Sequence, residues 1–152
     1  MDFYDYIKID EKFGFYFVWS GENIIRTSFS EKIVKDIKRR ENKEVKVEFE
    51  NYFFYKKPLK KIKYKFFLKL TDFEKQVLAE TFKIPFGKTL TYKGIAERIG
   101  KPKSYRAVGN TLGKNPLPVI IPCHRVLSKT GLGGFTGGLN IKKYLLKIEG
   151  VL

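Results

Sequence analysis

The apolar pattern of this chain changes character across "KPLKKIKYK", a lysine-rich, proline-containing stretch at residues 57–65. Before it, aromatic and β-branched residues dominate at strand spacing. After it, the spacing turns helical. That switch is expected to divide the 152 residues, enough for one ordinary domain or two small ones, into two parts. In the first part "FGFYFVW" (13–19), bounded by Gly21, predicts a strand. "SEKIVKDIKRREN" (30–42) sets Ile33, Val34 and Ile37 on one helical face, with Ser30 as N-cap and Glu31 near the positive end. "VKVEFE" (45–50) alternates strictly and predicts a half-buried strand.

The second part opens with "TDFEKQVLAETFK", in which Thr71 and Glu74 form a capping box ahead of an apolar stripe of Phe73, Val77, Leu78 and Phe82. "TYKGIAERIGKPKSYRAVGNTLGKNP" (91–116) follows. Thr91 caps a short helix carrying Ile95, Ala96 and Ile99, and Gly100 stops it. A second helix is expected to begin at Pro102, with Tyr105 and Arg106 near its start and Val108 and Leu112 inside. Helix, short glycine-containing turn, helix is the helix-turn-helix pattern. "NIKKYLLKIEG" (140–150) predicts a last helix, apolar on the side of Ile141, Tyr144, Leu145 and Ile148. The expected fold class is α+β: a small mixed sheet-and-helix N-terminal domain (1–67) and a mainly helical C-terminal domain (68–152) with a helix-turn-helix.

The formal net charge is +15. Residues 71–152 hold fourteen Lys/Arg against five Asp/Glu. An excess of this size suits a polyanionic partner, nucleic acid or an anionic membrane surface; a solvated lysine-rich surface would produce it too. No apolar run approaches the roughly 20 residues that span a bilayer, and the acidic, aromatic start "MDFYDYIKID" is unlike a signal peptide. A soluble cytoplasmic protein is expected. The single cysteine forms no internal disulfide. With only one histidine beside it, the chain lacks the ligands of a structural zinc site.

That cysteine, Cys123, stands next to that histidine, His124, in "NPLPVIIPCHRV" (115–126). A lone cysteine in an apolar stretch is commonly a small buried hydrophobe. An adjacent imidazole that accepts the thiol proton would make it a nucleophile. Neighbouring side chains in a strand point apart, so the second reading requires a turn at Cys123–His124, which Pro122 favours. A histidine base also needs an orienting carboxylate. Of Asp72, Glu74, Glu80, Glu97 and Glu149, the first four fall on faces that read as solvent-exposed, while Glu149 follows the apolar run of the last helix beside Ile148 and is expected against the core; a C-terminal surface glutamate is the alternative. Between Gly131 and Gly138, "GLGGFTGG" holds five glycines. It is either a surface linker or a loop that a ligand approaches closely. It is not the dinucleotide pattern, because Thr136 occupies the third glycine position.

"IPCHRV" with "NPLP" before it, "GGFTGGL" after it and "IEG" at the end resembles the O6-alkylguanine-DNA alkyltransferases, the methylated-DNA–protein-cysteine methyltransferases. The resemblance covers about residues 71–150; the first seventy residues match only loosely. It implies that Cys123 accepts an alkyl group, that His124 acts as base through a water, and that Glu149 orients it. It further implies that Asn115 fixes the turn and that Tyr92 gives a proton to the departing guanine. Arg106 would fill the stack left by a flipped nucleotide, with Lys103, Ser104 and Tyr105 beside it on DNA. Gly134, Phe135 and Thr136 would meet the flipped base. Phe135 stands where the family commonly has tyrosine and Thr136 where it often has serine, so the tyrosine hydroxyl is absent here. The implied partner is double-stranded DNA carrying O6-alkylguanine, bound by a monomer with no cofactor and no metal. The chemistry is coherent in itself: a soft thiolate suits attack on the alkyl carbon, and a duplex base must leave the stack to be reached. Without the resemblance two other readings stand, a helix-turn-helix protein with a packed cysteine and a Cys-His hydrolase. A tight site would pack closely around Cys123, so that alkylation strains it.

Overall fold

The computed structural model describes residues 1–66 and 68–152 and falls into two compact units, Met1–Leu68 and Lys69–Leu152. The expected boundary at 67/68 touches Phe67, which lies outside the described residues. Together the units make an α+β fold, a four-stranded mixed sheet with one helix in the first and four helices in the second. Among the described residues no helix is long and apolar enough to cross a membrane.

Unit 1 is built on β1 (Asp2–Lys8), β2 (Gly14–Ser20), β3 (Asn23–Ser28) and β4 (Lys38–Arg39), in the order β3-β2-β1-β4. β1 and β2 pair antiparallel, as do β2 and β3, while β4 runs parallel to β1. The strand expected at 13–19 is therefore the middle of a meander. Phe15 and Phe17 on β2 are fully buried against Phe49 and Phe53 of α1 (Lys43–Tyr55), with ring centroids 4.8 to 5.3 Å apart. Aromatic pairs at this spacing add about 0.5–1.5 kcal/mol each beyond the area they bury.

Two expectations fail in this unit. Residues 45–50 are helical, not a strand. Val45, Val47 and Phe49 alternate, but Phe49, Tyr52 and Phe53 also fall at helical spacing, and those three are buried while Val47 is exposed. Asn42 starts the helix by accepting from the Val45 N–H, so a cap and a stripe outweigh the alternation. Residues 30–42 are not one helix. Ser30 does cap, accepting from the Lys32 N–H, but only a 3-10 turn, Glu31–Val34, follows, and it buries nothing. Asp36, at φ +65°, ends it, and the chain continues into β4.

Unit 2 begins with α2 (Asp72–Phe82), where the capping box forms with both bonds present. Its buried side holds Val77, Leu78 and Thr81; Phe82, expected in the stripe, is about half exposed. Next come β5 (Leu90–Thr91), α3 (Tyr92–Arg98) and α4 (Tyr105–Leu112). Thr91 caps α3 through the Gly94 N–H. Gly100, at φ +75°, ends the turn of chain after it, a conformation that costs other residues about 1–2 kcal/mol. The second helix starts at Tyr105 after Ser104, three residues later than expected, because Pro102 sits in the turn instead. β6 (Val126–Leu127) pairs parallel with β5, and α5 (Leu139–Ile148) closes the unit. Ile95, Ala96, Val108, Leu117, Val126, Leu145 and Leu146 are fully buried.

Candidate active site

Asn115 shapes the approach to the thiol. Its side-chain oxygen accepts from the Leu117 N–H (2.9 Å) and its amide donates to the Ile121 carbonyl (2.9 Å). One side chain thus ties down both ends of a stretch whose prolines bring no N–H of their own. The chain then turns into a 3-10 segment, Cys123–Arg125. This is the turn that the nucleophile reading requires, because at three residues per turn the Cys123 and His124 side chains are no longer set on opposite faces as in a strand.

His124 is completely buried, and its Nε2 lies 2.6 Å from Glu149 Oε2. The carboxylate can only accept, so Nε2 carries the proton and Nδ1 is the basic nitrogen. Glu149 is itself held firmly. It accepts from the Gly87 N–H (3.0 Å) and from Arg125 through Nε (2.7 Å) and Nη2 (2.9 Å). Arg125 also donates to the Ile84 carbonyl (2.7 Å). A two-point guanidinium–carboxylate contact is among the stronger charge-assisted arrangements, and here it locks the group that orients the imidazole.

Burial keeps thiol and imidazole neutral at rest. It pushes the Cys123 thiol up, against the opposing pull of the Asn115 amide and of the Lys142 charge. It pushes His124 down, although the bond and charge of Glu149 work the other way. Lys142, wholly inaccessible on α5, is lowered to about 8, again by burial. Its ammonium donates to the Val126 carbonyl (2.7 Å) and the Gly134 carbonyl (2.9 Å).

Cys123 opens onto a cavity of about 280 Å³ walled by Tyr92, by Gly109, Leu112 and Gly113 at the end of α4, and by Gly134, Phe135 and Thr136 of the glycine loop. Cys123 itself is 9% exposed, so only a small part of it faces this cavity. The loop is pinned from several sides. The Gly134 N–H donates to Tyr92 Oη (3.2 Å), Lys142 holds the Gly134 carbonyl, and Thr136 Oγ1 donates to the Gly113 carbonyl (3.0 Å). Gly133, at φ +72°, has no room for a side chain: a Cβ there would stand 2.6 Å from Tyr92 Oη. Accepting from Gly134 leaves Tyr92 its own proton to give. Thr136 has already committed its proton to Gly113.

The structure thus brings Cys123, Tyr92, Gly134, Phe135 and Thr136 to one cavity, with His124, Glu149 and Asn115 around its floor. Lys103, Ser104, Tyr105 and Arg106 lie elsewhere, at the start of α4, where all but Ser104 are exposed. Sequence reasoning missed Arg125, Lys142 and Gly133. The signal for Lys142 was available: it precedes Leu145 and Leu146 by three and four residues, which puts it on their face of the helix. Arg125 gave no signal of its own, since nothing local says that an arginine turns inward.

A family model described as 6-O-methylguanine DNA methyltransferase, DNA binding domain, matches residues 72–151. Among curated proteins, a methylated-DNA–protein-cysteine methyltransferase of Methanosarcina barkeri is 54% identical over 80 residues, 52% of this chain and 51% of that one. The chain thus spans about half the length of the curated relatives it matches. Among solved structures, an O6-methylguanine DNA methyltransferase from Methanococcus jannaschii is 34% identical with a TM-score of 0.67, covering 97% of this chain and 94% of that one. A second, Mycobacterium tuberculosis OGT in complex with DNA, is 29% identical with a TM-score of 0.83, covering 97% and 92%.

Proposed function

The chain belongs to the 6-O-methylguanine DNA methyltransferase family, and from that premise we propose that it repairs DNA by moving an alkyl group from O6-alkylguanine onto its own Cys123. The observation that carries this reading is Cys123 at the wall of a base-sized cavity, with a buried His124–Glu149 pair beside it. A target guanine leaves the duplex and enters between α4 and the glycine loop. The thiol proton passes to His124 Nδ1 through a water, and Glu149 stabilises the imidazolium that forms. Sγ attacks the alkyl carbon, the C–O6 bond breaks as the C–S bond forms, and the guanine leaves with a proton from Tyr92 Oη. Tyr92 then recovers the thiol's proton, so the atoms balance without a cofactor.

Asn115 holds the turn, and Gly134, Phe135 and Thr136 line the base. Thr136 reaches O6 only by releasing the Gly113 carbonyl. Lys103, Ser104, Tyr105 and Arg106 meet the duplex, with Arg106 entering the emptied stack. The related Mycobacterium tuberculosis protein in complex with DNA supports the choice of partner. The thioether product is stable, and the chain has no second cysteine to take the alkyl group, so each molecule acts once, as a cytoplasmic monomer. The test is intact mass after mixing with duplex containing O6-methylguanine. One added methyl, about 14 Da, on Cys123 is expected; multiple turnovers, or methyl on another residue, would refute the reading.

A further inference from the structure

Unit 1 carries a basic feature that the transfer chemistry does not use. Six lysines fall within residues 56–65, and no acidic residue occurs between Glu50 and Asp72. All six are exposed. The segment is held in place rather than trailing. Lys56 ends α1 in the left-handed region, the Lys57 N–H bonds the Asn51 carbonyl (3.1 Å), and the Lys60 N–H meets Glu48 Oε2 (3.4 Å). Further on, the Ile24 N–H bonds the Lys63 carbonyl (2.9 Å) and the Lys65 N–H bonds the Ile24 carbonyl (3.0 Å), so the chain lies parallel to β3 as an added edge. There Lys61, Lys63 and Lys65 are exposed while Ile62 and Tyr64 between them and Phe66 after them are half-buried, the alternation of a strand with one lysine face.

We propose that this lysine strip is a second contact for the phosphate backbone of duplex DNA; the inference rests on the DNA-repair reading above. Same-side residues of an extended chain recur about every 6.6 Å. That row of evenly spaced positive charges suits the regular charges of a phosphate backbone. Lysines also keep sheet edges from pairing with other chains, but that role needs charges only where the edge is, at 63–65. Lys56, Lys57 and Lys60 lie before it. The strip reads no sequence; it adds affinity and salt dependence.

The experiment uses the whole chain with Lys57, Lys60 and Lys61 changed to glutamine, and a parallel variant with the same three changed to arginine. Lys63 is kept because it pairs with Glu22 (3.1 Å). Affinity for a lesion-free duplex is measured by fluorescence anisotropy between about 50 and 200 mM salt. The glutamine variant is expected to show a slope of log affinity against log salt shallower by about 2 to 3. The arginine variant keeps the original slope, and both keep the unmodified rate of reaction with free O6-benzylguanine, which carries no phosphate. An unchanged slope in the glutamine variant overturns the proposal and leaves the strip as edge protection, while the unmodified chain still binds DNA. A shallower slope in the arginine variant overturns it as well. If the unmodified chain itself fails to bind duplex, the strip and the DNA reading fall together.

Discussion

Glu149→Gln removes one charge at the centre of the site and leaves its shape almost intact. The glutamine oxygen can keep the Gly87 N–H and Arg125 Nε. Its NH₂ then replaces Oε2 and faces Arg125 Nη2 and His124 Nε2. The guanidinium cannot accept, so it loses a charge-assisted bond worth about 1.5–3 kcal/mol together with its ionic partner. Breaking a buried pair from one side costs about 3–5 kcal/mol, and the surviving oxygen contacts set the expectation near the lower end, about 3 kcal/mol. The imidazole can accept from the new NH₂ only by moving its proton to Nδ1, which removes the basic nitrogen. A wrong tautomer in a triad of this kind costs on the order of 10⁴ in rate; here at least about a hundredfold slower reaction with O6-benzylguanine is expected. Unfolding in urea should be followed by far-ultraviolet circular dichroism, because the one tryptophan, Trp19, is in unit 1 and its fluorescence reports that unit. Adding Arg125→Met should recover part of the lost stability without restoring the rate. A Glu149→Gln protein within about 1 kcal/mol of the unmodified chain would refute the claim that the carboxylate holds a buried cation.

The remaining expectations are shorter. Gly133→Ala forces a Cβ to 2.6 Å from Tyr92 Oη at φ +72° and should cost about 1–3 kcal/mol; it should also slow transfer by displacing the tyrosine, read by melting and single-turnover rates. Arg106→Ala should slow repair in duplex more than reaction with the free base, since only the duplex has a stack to fill; equal losses would remove Arg106 from that role. Stability should respond to pH on both sides of neutrality. His124 sits below its usual 6.5, so below about 6.5 the unfolded chain takes up a proton that the folded chain refuses, and stability falls with acid. Cys123 sits above its usual 9.0, so above about 9 the unfolded chain loses a proton that the folded chain keeps, and stability falls with alkali. Lys142, lowered to about 8, works in the opposite direction between about 8 and 10.5. Methylation of Cys123 removes the cysteine contribution and the thiolate charge that raises Lys142, so above pH of about 9 the methylated protein should lose less stability than the unmodified one. Parallel alkaline curves for the two would show that the thiol does not titrate there.

What the sequence alone determined is what short-range chemistry settles. A capping box needs only Thr71 and Glu74 three residues apart, and it forms as expected. Asn115 bonds its own chain two and six residues on. The helix pair is marked by Thr91, Gly100 and its apolar spacing. Cys123 and His124 are neighbours in the chain, and Glu149 stands out because it follows the apolar run of the last helix while the other carboxylates of 71–152 fall on faces that read as exposed. Tertiary structure decided the rest. Residues 45–50 satisfy both a strand pattern and a helical one; the Asn42 cap favours the helix, and the aromatic face of β2 completes the choice by packing on Phe49 and Phe53. Lysine and arginine are written as surface residues in any sequence. Lys142 and Arg125 turn inward because carbonyls of Val126, Gly134 and Ile84, and the Glu149 carboxylate, come from distant segments to meet them. The protonation of the thiol is decided the same way, since desolvation depends on the whole fold around a group and not on the residues beside it.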